Sequence, residues 1–142
     1  MGSDVACLAI PAVPEGRQRS RFLAMGTFDS KVTILSLEME SIMEKLAVLG
    51  THRPPESLLF VDQAIGAAQG TGALFLNVGT DDGVLIRSGV DRQTGALSDQ
   101  RQRFLGTRKP KLVVRGGWRR TGHCSARACF CRGCGHLRAT RQ

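Results

Sequence analysis

Phe22-Leu23-Ala24-Met25-Gly26-Thr27 returns as Phe75-Leu76-Asn77-Val78-Gly79-Thr80, 53 residues further on, and Asp29 falls on Asp82 at the same interval. The apolar run opening at Val5 lies over the one opening at Leu58. Self-similarity at this period marks a repeating architecture in which each unit buries its apolar face against its neighbour.

Working outward from the first copy, Val5 to Ile10 is a short apolar run that ends in a loop from Pro11 to Arg19. Phe22 to Thr27 is apolar on both alternating faces. A polar tip, Asp29-Ser30-Lys31, then leads into a second such run, Val32 to Leu37. Two β-rich runs about a short tip form a hairpin, and apolar residues on both faces place it in a layered sheet. Ile42 to Leu49 is read as a fourth, outer strand from its place in the repeat.

The second unit opens after Pro54-Pro55 with a strand over Ser57 to Val61. A loop from Asp62 to Gly72 leads on to strands over Ala73 to Gly79 and Val84 to Val90. The intervening Thr80-Asp81-Asp82-Gly83 predicts a type I′ turn from its Asp-Gly pair. Asp91 to Gly95 is a further turn, and Phe104-Leu105-Gly106 begins the closing segment. The expectation is therefore an all-β chain, with two four-stranded antiparallel blades of a WD40-like β-propeller over residues 1–112.

Charge divides the chain at a similar place. Residues 1–99 hold eight Lys/Arg and all twelve Asp/Glu, whereas residues 100–142 hold twelve Lys/Arg and no acid. Cysteine is divided in the same way: Cys7 stands alone in an apolar run, where a free thiol is usually a small core residue. The other four cysteines, Cys124, Cys129, Cys131 and Cys134, crowd the end with His123 and His136. A zinc knuckle with phosphate-binding arginines and a stacking Trp118 or Phe130 is one reading of this region. Only Cys131 and Cys134 have paired spacing, however, so no metal ligand is assigned. Residues 113–142 are expected to be a disordered basic tail, or sequence foreign to the rest, as translation past an unspliced boundary would produce. A genuine tail of this kind would bind RNA by counterion release.

The remaining candidates read as structure. Gly66, Gly70 and Gly72 lack the Gly-Lys-Ser/Thr of a phosphate loop and are expected to be a plain loop. Asp81-Asp82 is expected to make a turn, Arg17, Arg19 and Arg21 to be solvated, and His52 to have neither a nucleophile nor an orienting acid beside it. No catalytic or cofactor-binding residue is assigned, and no membrane or small-molecule partner is expected. Without a membrane-length apolar run or a signal-peptide pattern, the default is a soluble intracellular protein.

The phrases Gln18 to Gly26, Asn77 to Arg87, Thr94 to Asp99 and Arg103 to Arg108 occur in an order and spacing that resemble the splicing factor 3b subunit 3 family over about residues 4–112. Its architecture is shared with the large damaged-DNA-binding protein and the large cleavage and polyadenylation factor subunit. The resemblance implies a noncatalytic nuclear scaffold of the spliceosome, part of the U2 small nuclear ribonucleoprotein in branch-site recognition. Its partners would be other splicing factor 3b subunits, with RNA met through the complex or through the basic tail. The alternatives are a small nucleic-acid-binding protein working through the tail, or a related propeller of DNA repair or RNA 3′-end processing.

Two blades leave apolar faces and strand edges uncovered, a recipe for aggregation. Residues 1–112 alone are therefore expected to be marginal or insoluble, as a fragment of a longer product would be. A cooperative, reversible thermal melt of that segment as a monomer would contradict this.

Overall fold

In a computed structural model, the described residues are 3–13, 16–63, 72–117 and 125–131. They form ten strands in chain order: β1 (Val5–Ala9), β2 (Phe22–Thr27), β3 (Lys31–Ser36), β4 (Lys45–Gly50), β5 (Pro55–Gln63), β6 (Ala73–Thr80), β7 (Val84–Val90), β8 (Leu97–Phe104), β9 (Lys111–Gly117) and β10 (Ser125–Cys131). Strands β1-β2-β3-β4 and β5-β6-β7-β8 make two four-stranded antiparallel sheets with the same meander order, and β9 pairs with β10. The two blades expected from the repeat are thus present.

The blades stack through one apolar layer. Phe22, Ala24, Val32, Ile34 and Leu49 of the first meet Leu58, Phe60, Leu74, Leu76, Val78, Ile86 and Val90 of the second. Ile34, Leu76 and Ile86 are completely buried. Strand β5 lies between β1 and β9, so β1, β5 and β9 succeed one another as the first strands of successive units.

A backbone-level contact repeats with them. A methyl group at Gly26 would stand 2.7 Å from Pro55 and 2.8 Å from the Cys7 sulfur; one at Gly79 would stand 2.7 Å from Pro110 and 2.8 Å from the Ser57 hydroxyl. Cys7 Sγ donates to the Pro55 carbonyl at 3.5 Å, and Ser57 Oγ donates to the Pro110 carbonyl at 2.6 Å. Each glycine admits the proline that opens the next unit, and the residue opposite it on the first strand caps that proline's carbonyl.

Several sequence expectations change in detail. Because Leu8 pairs with Met25 and Leu58 with Val78, Leu58 is the counterpart of Leu8 and not of Val5. The same registers make the β5–β6 connection longer than the β1–β2 connection, so the repeat interval is shorter for β1 than for β2 and β3. The outer strand of blade one begins at Lys45, after a turn that includes Met43 at φ 64°. Blade two closes through Leu97–Phe104, ahead of the segment read as closing. That strand is almost wholly exposed, so it lacks the apolar alternation by which a strand is recognised.

The β6–β7 hairpin is not type I′. Gly83 N donates to Thr80 O at 3.1 Å, and only Gly83 among the loop residues has positive φ, at 86°. This is a type I turn ending in a left-handed residue. Ser30, at φ 60°, holds the same place in the β2–β3 hairpin.

Residue 112, the expected boundary of the two-blade body, falls inside β9, and residues 113–117 and 125–131 of the expected disordered tail are strands. The run Lys111-Leu112-Val113-Val114 has the β-branched character that suits such a strand. Residues 118–124 and 132–142, with Trp118, His123, Cys124, Cys134 and His136, lie outside the described residues, as do Gly66 and Gly70.

Replacing Gly79 by Ala forces a methyl onto the Pro110 ring and should destabilise the full chain by about 1–3 kcal/mol through overpacking. Gly50→Ala, which meets nothing within 4 Å, should stay within about 0.5 kcal/mol of the parent. Urea midpoints of the two variants check this.

Candidate interaction site

The loops gather at two ends of the blade pair, and each end is held by polar contacts. At one end lie the hairpin tips, residues 27–31 and 80–84, and the linker between blades, residues 51–54. Thr51 N donates to Ser30 O at 2.8 Å and Asp81 N donates to Pro54 O at 3.2 Å, tying the linker to both tips. His52 Nε2 lies 2.6 Å from Asp82 Oδ2, and Arg53 Nε donates to Asp81 Oδ1 at 3.2 Å. The expectation that His52 has no acid beside it is overturned. Its partner is 30 residues away in sequence, and only the blade-to-linker packing brings them together.

Thr80, Asp82 and His52 form a chain of polar contacts across the hairpin tip and the linker. The Thr80 hydroxyl is 2.6 Å from Asp82 Oδ1 and 3.0 Å from Val84 O, and Thr80 is completely buried. The acid thus stands between hydroxyl and imidazole, and the buried hydroxyl is spent on the turn, bonding both Asp82 and the Val84 carbonyl. The Thr80 hydrogen bond, opposed by partial desolvation and reinforced by His52, holds the Asp82 carboxyl below its ordinary value. Asp81 and Asp82 do sit at a turn, as expected, and they also clasp the linker.

At the other end Arg17 and Arg21 converge on one carboxylate, Glu38, at 2.7 and 2.9 Å, and keep it ionised to lower pH than usual. Arg19 Nη1 lies 3.5 Å from the Met39 sulfur. Arg17 and Arg21 are therefore ion-paired, where the sequence predicted solvated charges. Arg17, Gln18, Arg19, Ser20, Leu37, Glu38 and Met39 line an open depression of about 330 Å³. Arg21 also donates to the Arg92 carbonyl of blade two at 3.1 Å, while Arg92 bonds Asp62 and the Gly72 carbonyl. Asp91 accepts from Gln93 N at 2.7 Å, which lowers its pKa and fixes the turn before β8.

Cys7 is half-buried beside Pro55, and burial, with the charge of Glu56 adding to it, pushes the thiol up to about 11. A thiol so rarely ionised is a packing residue, not a nucleophile. Among the described residues, no three His, Cys, Asp or Glu side chains are grouped to hold a metal ion.

Stacked meander sheets whose loop-end polar groups clasp neighbouring blades define a β-propeller segment. The chain belongs to the RSE1/DDB1/CPSF1 second β-propeller family, whose model matches residues 1–131, past residue 112. It is 52% identical over 124 residues to spliceosome-associated protein 130 A of Arabidopsis thaliana, covering 82% of this chain and 10% of that protein. It is also 41% identical over 119 residues to splicing factor 3B subunit 3 of Danio rerio, covering 79% of this chain and 10% of that protein. Pre-mRNA-splicing factor rse1 of Emericella nidulans is 43% identical over 112 residues, covering 79% and 9%. The chain spans about a tenth of the length of these relatives.

A carboxylate whose folded pKa is lowered adds stability above its ordinary value of 3.8, and that stability is lost as pH falls through the lowered value. Asp82→Asn should therefore reduce the thermal midpoint of the full chain near neutral pH. The difference should close once the parent's own Asp82 is protonated, which melting curves recorded down an acid pH series would show.

Proposed function

We propose that β1 to β8 of this chain are two blades of a noncatalytic scaffold in pre-mRNA splicing. The observation that carries this reading is the identity of 41–52% to splicing proteins across most of the chain. It accords with carboxylates spent on the chain's own architecture: Asp81 and Asp82 hold the linker between blades, and Glu38 holds two arginines of blade one. In this reading the protein works in the nucleus as part of splicing factor 3b, in the U2 small nuclear ribonucleoprotein that recognises the branch site. It contacts other subunits of that complex and meets RNA through them. Residues 113–142 add a basic segment.

Recovery of the endogenous protein with an antibody against the blades, and mass spectrometry of what is recovered, tests this. Splicing factor 3b subunits should accompany it and remain after nuclease treatment. A short product carrying Trp118 or Phe130 and accompanied only by RNA would overturn the scaffold reading in favour of a nucleic-acid-binding tail.

A further inference from the structure

Each blade turns an equivalent face toward its successor in the chain, but the chemistry of the two faces differs. Registers give the correspondence directly. In blade one Ala24 pairs with Ile34, Ile34 with Ala47, and Val32 with Leu49. In blade two Asn77 pairs with Arg87, Arg87 with Arg101, and Leu85 with Arg103. Arg87 thus stands where blade one has buried Ile34, Arg101 where it has Ala47, and Arg103 where it has buried Leu49. The face that blade one uses to make an apolar seam becomes, in blade two, a row of three guanidinium groups.

This row is not balanced by acids. Arg87 lies 3.8 Å over the Phe75 ring and donates to Gln63 Oε1 at 3.3 Å, both neutral groups. Among the described residues, none of the three arginines joins an ion pair. Residues 100–142, which include β9 and β10, contain no Asp or Glu, so the chain's own next strands bring only more positive charge. Like charges directly opposite on neighbouring strands are destabilising, and Arg87 and Arg101 are such a pair. The inner part of the same face is apolar, with Leu59, Val61 and Phe75 on it and Pro110 seated against Gly79.

We propose that the outer part of this face, the row of Arg87, Arg101 and Arg103, docks an extended acidic polypeptide segment with carboxylates at alternate positions. Arg101 and Arg103 are two residues apart on one strand, so they repeat at roughly 6.6–6.8 Å. An extended peptide repeats its same-side residues at that interval, which lets successive Asp or Glu side chains face successive guanidiniums in charge-assisted contacts. Strand β8 is the outermost of its sheet and almost wholly exposed, so the segment reaches the row from solvent. The proposal does not depend on the splicing role.

The test uses the full 142-residue chain fused to maltose-binding protein for solubility. Its probe is a fluorescein-labelled peptide of about eight residues alternating Glu and Thr, an interval set by strand geometry. Anisotropy should report binding that the Gln-for-Glu peptide lacks. Arg101→Gln with Arg103→Gln should weaken it by roughly tenfold or more, the scale of two lost charge-assisted bonds. Lys31→Gln with Lys45→Gln, an equal loss of exposed charge on blade one, should leave it within about twofold, because surface charges remote from the row act weakly. Circular dichroism of both variants separates lost binding from lost fold. No binding, equal loss in both variants, or tighter binding of labelled polyuridylate by the same arginines would each overturn the proposal.

Discussion

Everything in this chain depends on the close approach of one blade to the next at the glycine of its second strand. Gly26 and Gly79 each admit a proline to within a distance that no side chain would allow, and the carbonyl of that proline is capped from the strand beside it. The apolar layer that includes Ile34, Leu76 and Ile86 joins buried side chains of both sheets. It is the glycine and proline contact, however, that sets how near the sheets lie at their inner edge. Cys7 and Ser57 fill the same role with different atoms. The weaker sulfur donor sits at the longer distance, and its raised pKa reflects the same burial.

The polar groups at the two loop ends reinforce that arrangement. His52 and Arg53 reach forward from the linker to Asp82 and Asp81, and Arg21 reaches from blade one to the Arg92 carbonyl. Each contact is exposed enough to contribute modestly by itself. Together they fix the angle between sheets that apolar packing, which is non-directional, leaves loose.

The blade plan is legible in the sequence because β2, β3, β6 and β7 are buried on both sides, and so carry dense apolar runs that recur at one interval. Two kinds of feature stay hidden. β8 is polar along nearly its whole length, and a strand exposed on an outer edge has no periodicity to read. The pairing of His52 with Asp82, and of two arginines with Glu38, joins residues that only the stacked sheets bring together. The turn at Asp81-Asp82-Gly83 can be placed from its residues, but its type cannot. An Asp-Gly pair serves either a two-residue or a three-residue loop, and the ladder, ending at Thr80 and resuming at Val84, decides between them.

The capped proline also gives the array a direction. Blade two offers a glycine notch and a donor, Gly79 and Ser57, on one side and Pro55 on the other, so the contact is heterologous: the two surfaces that meet are not alike. Propagated by a constant rotation, such a contact either closes into a ring or runs on as an open filament. A two-fold symmetric pairing of blades has no use for it, because it would set notch against notch. The head-to-tail order of the blades is therefore written into the geometry of a single junction, well before the number of blades is counted.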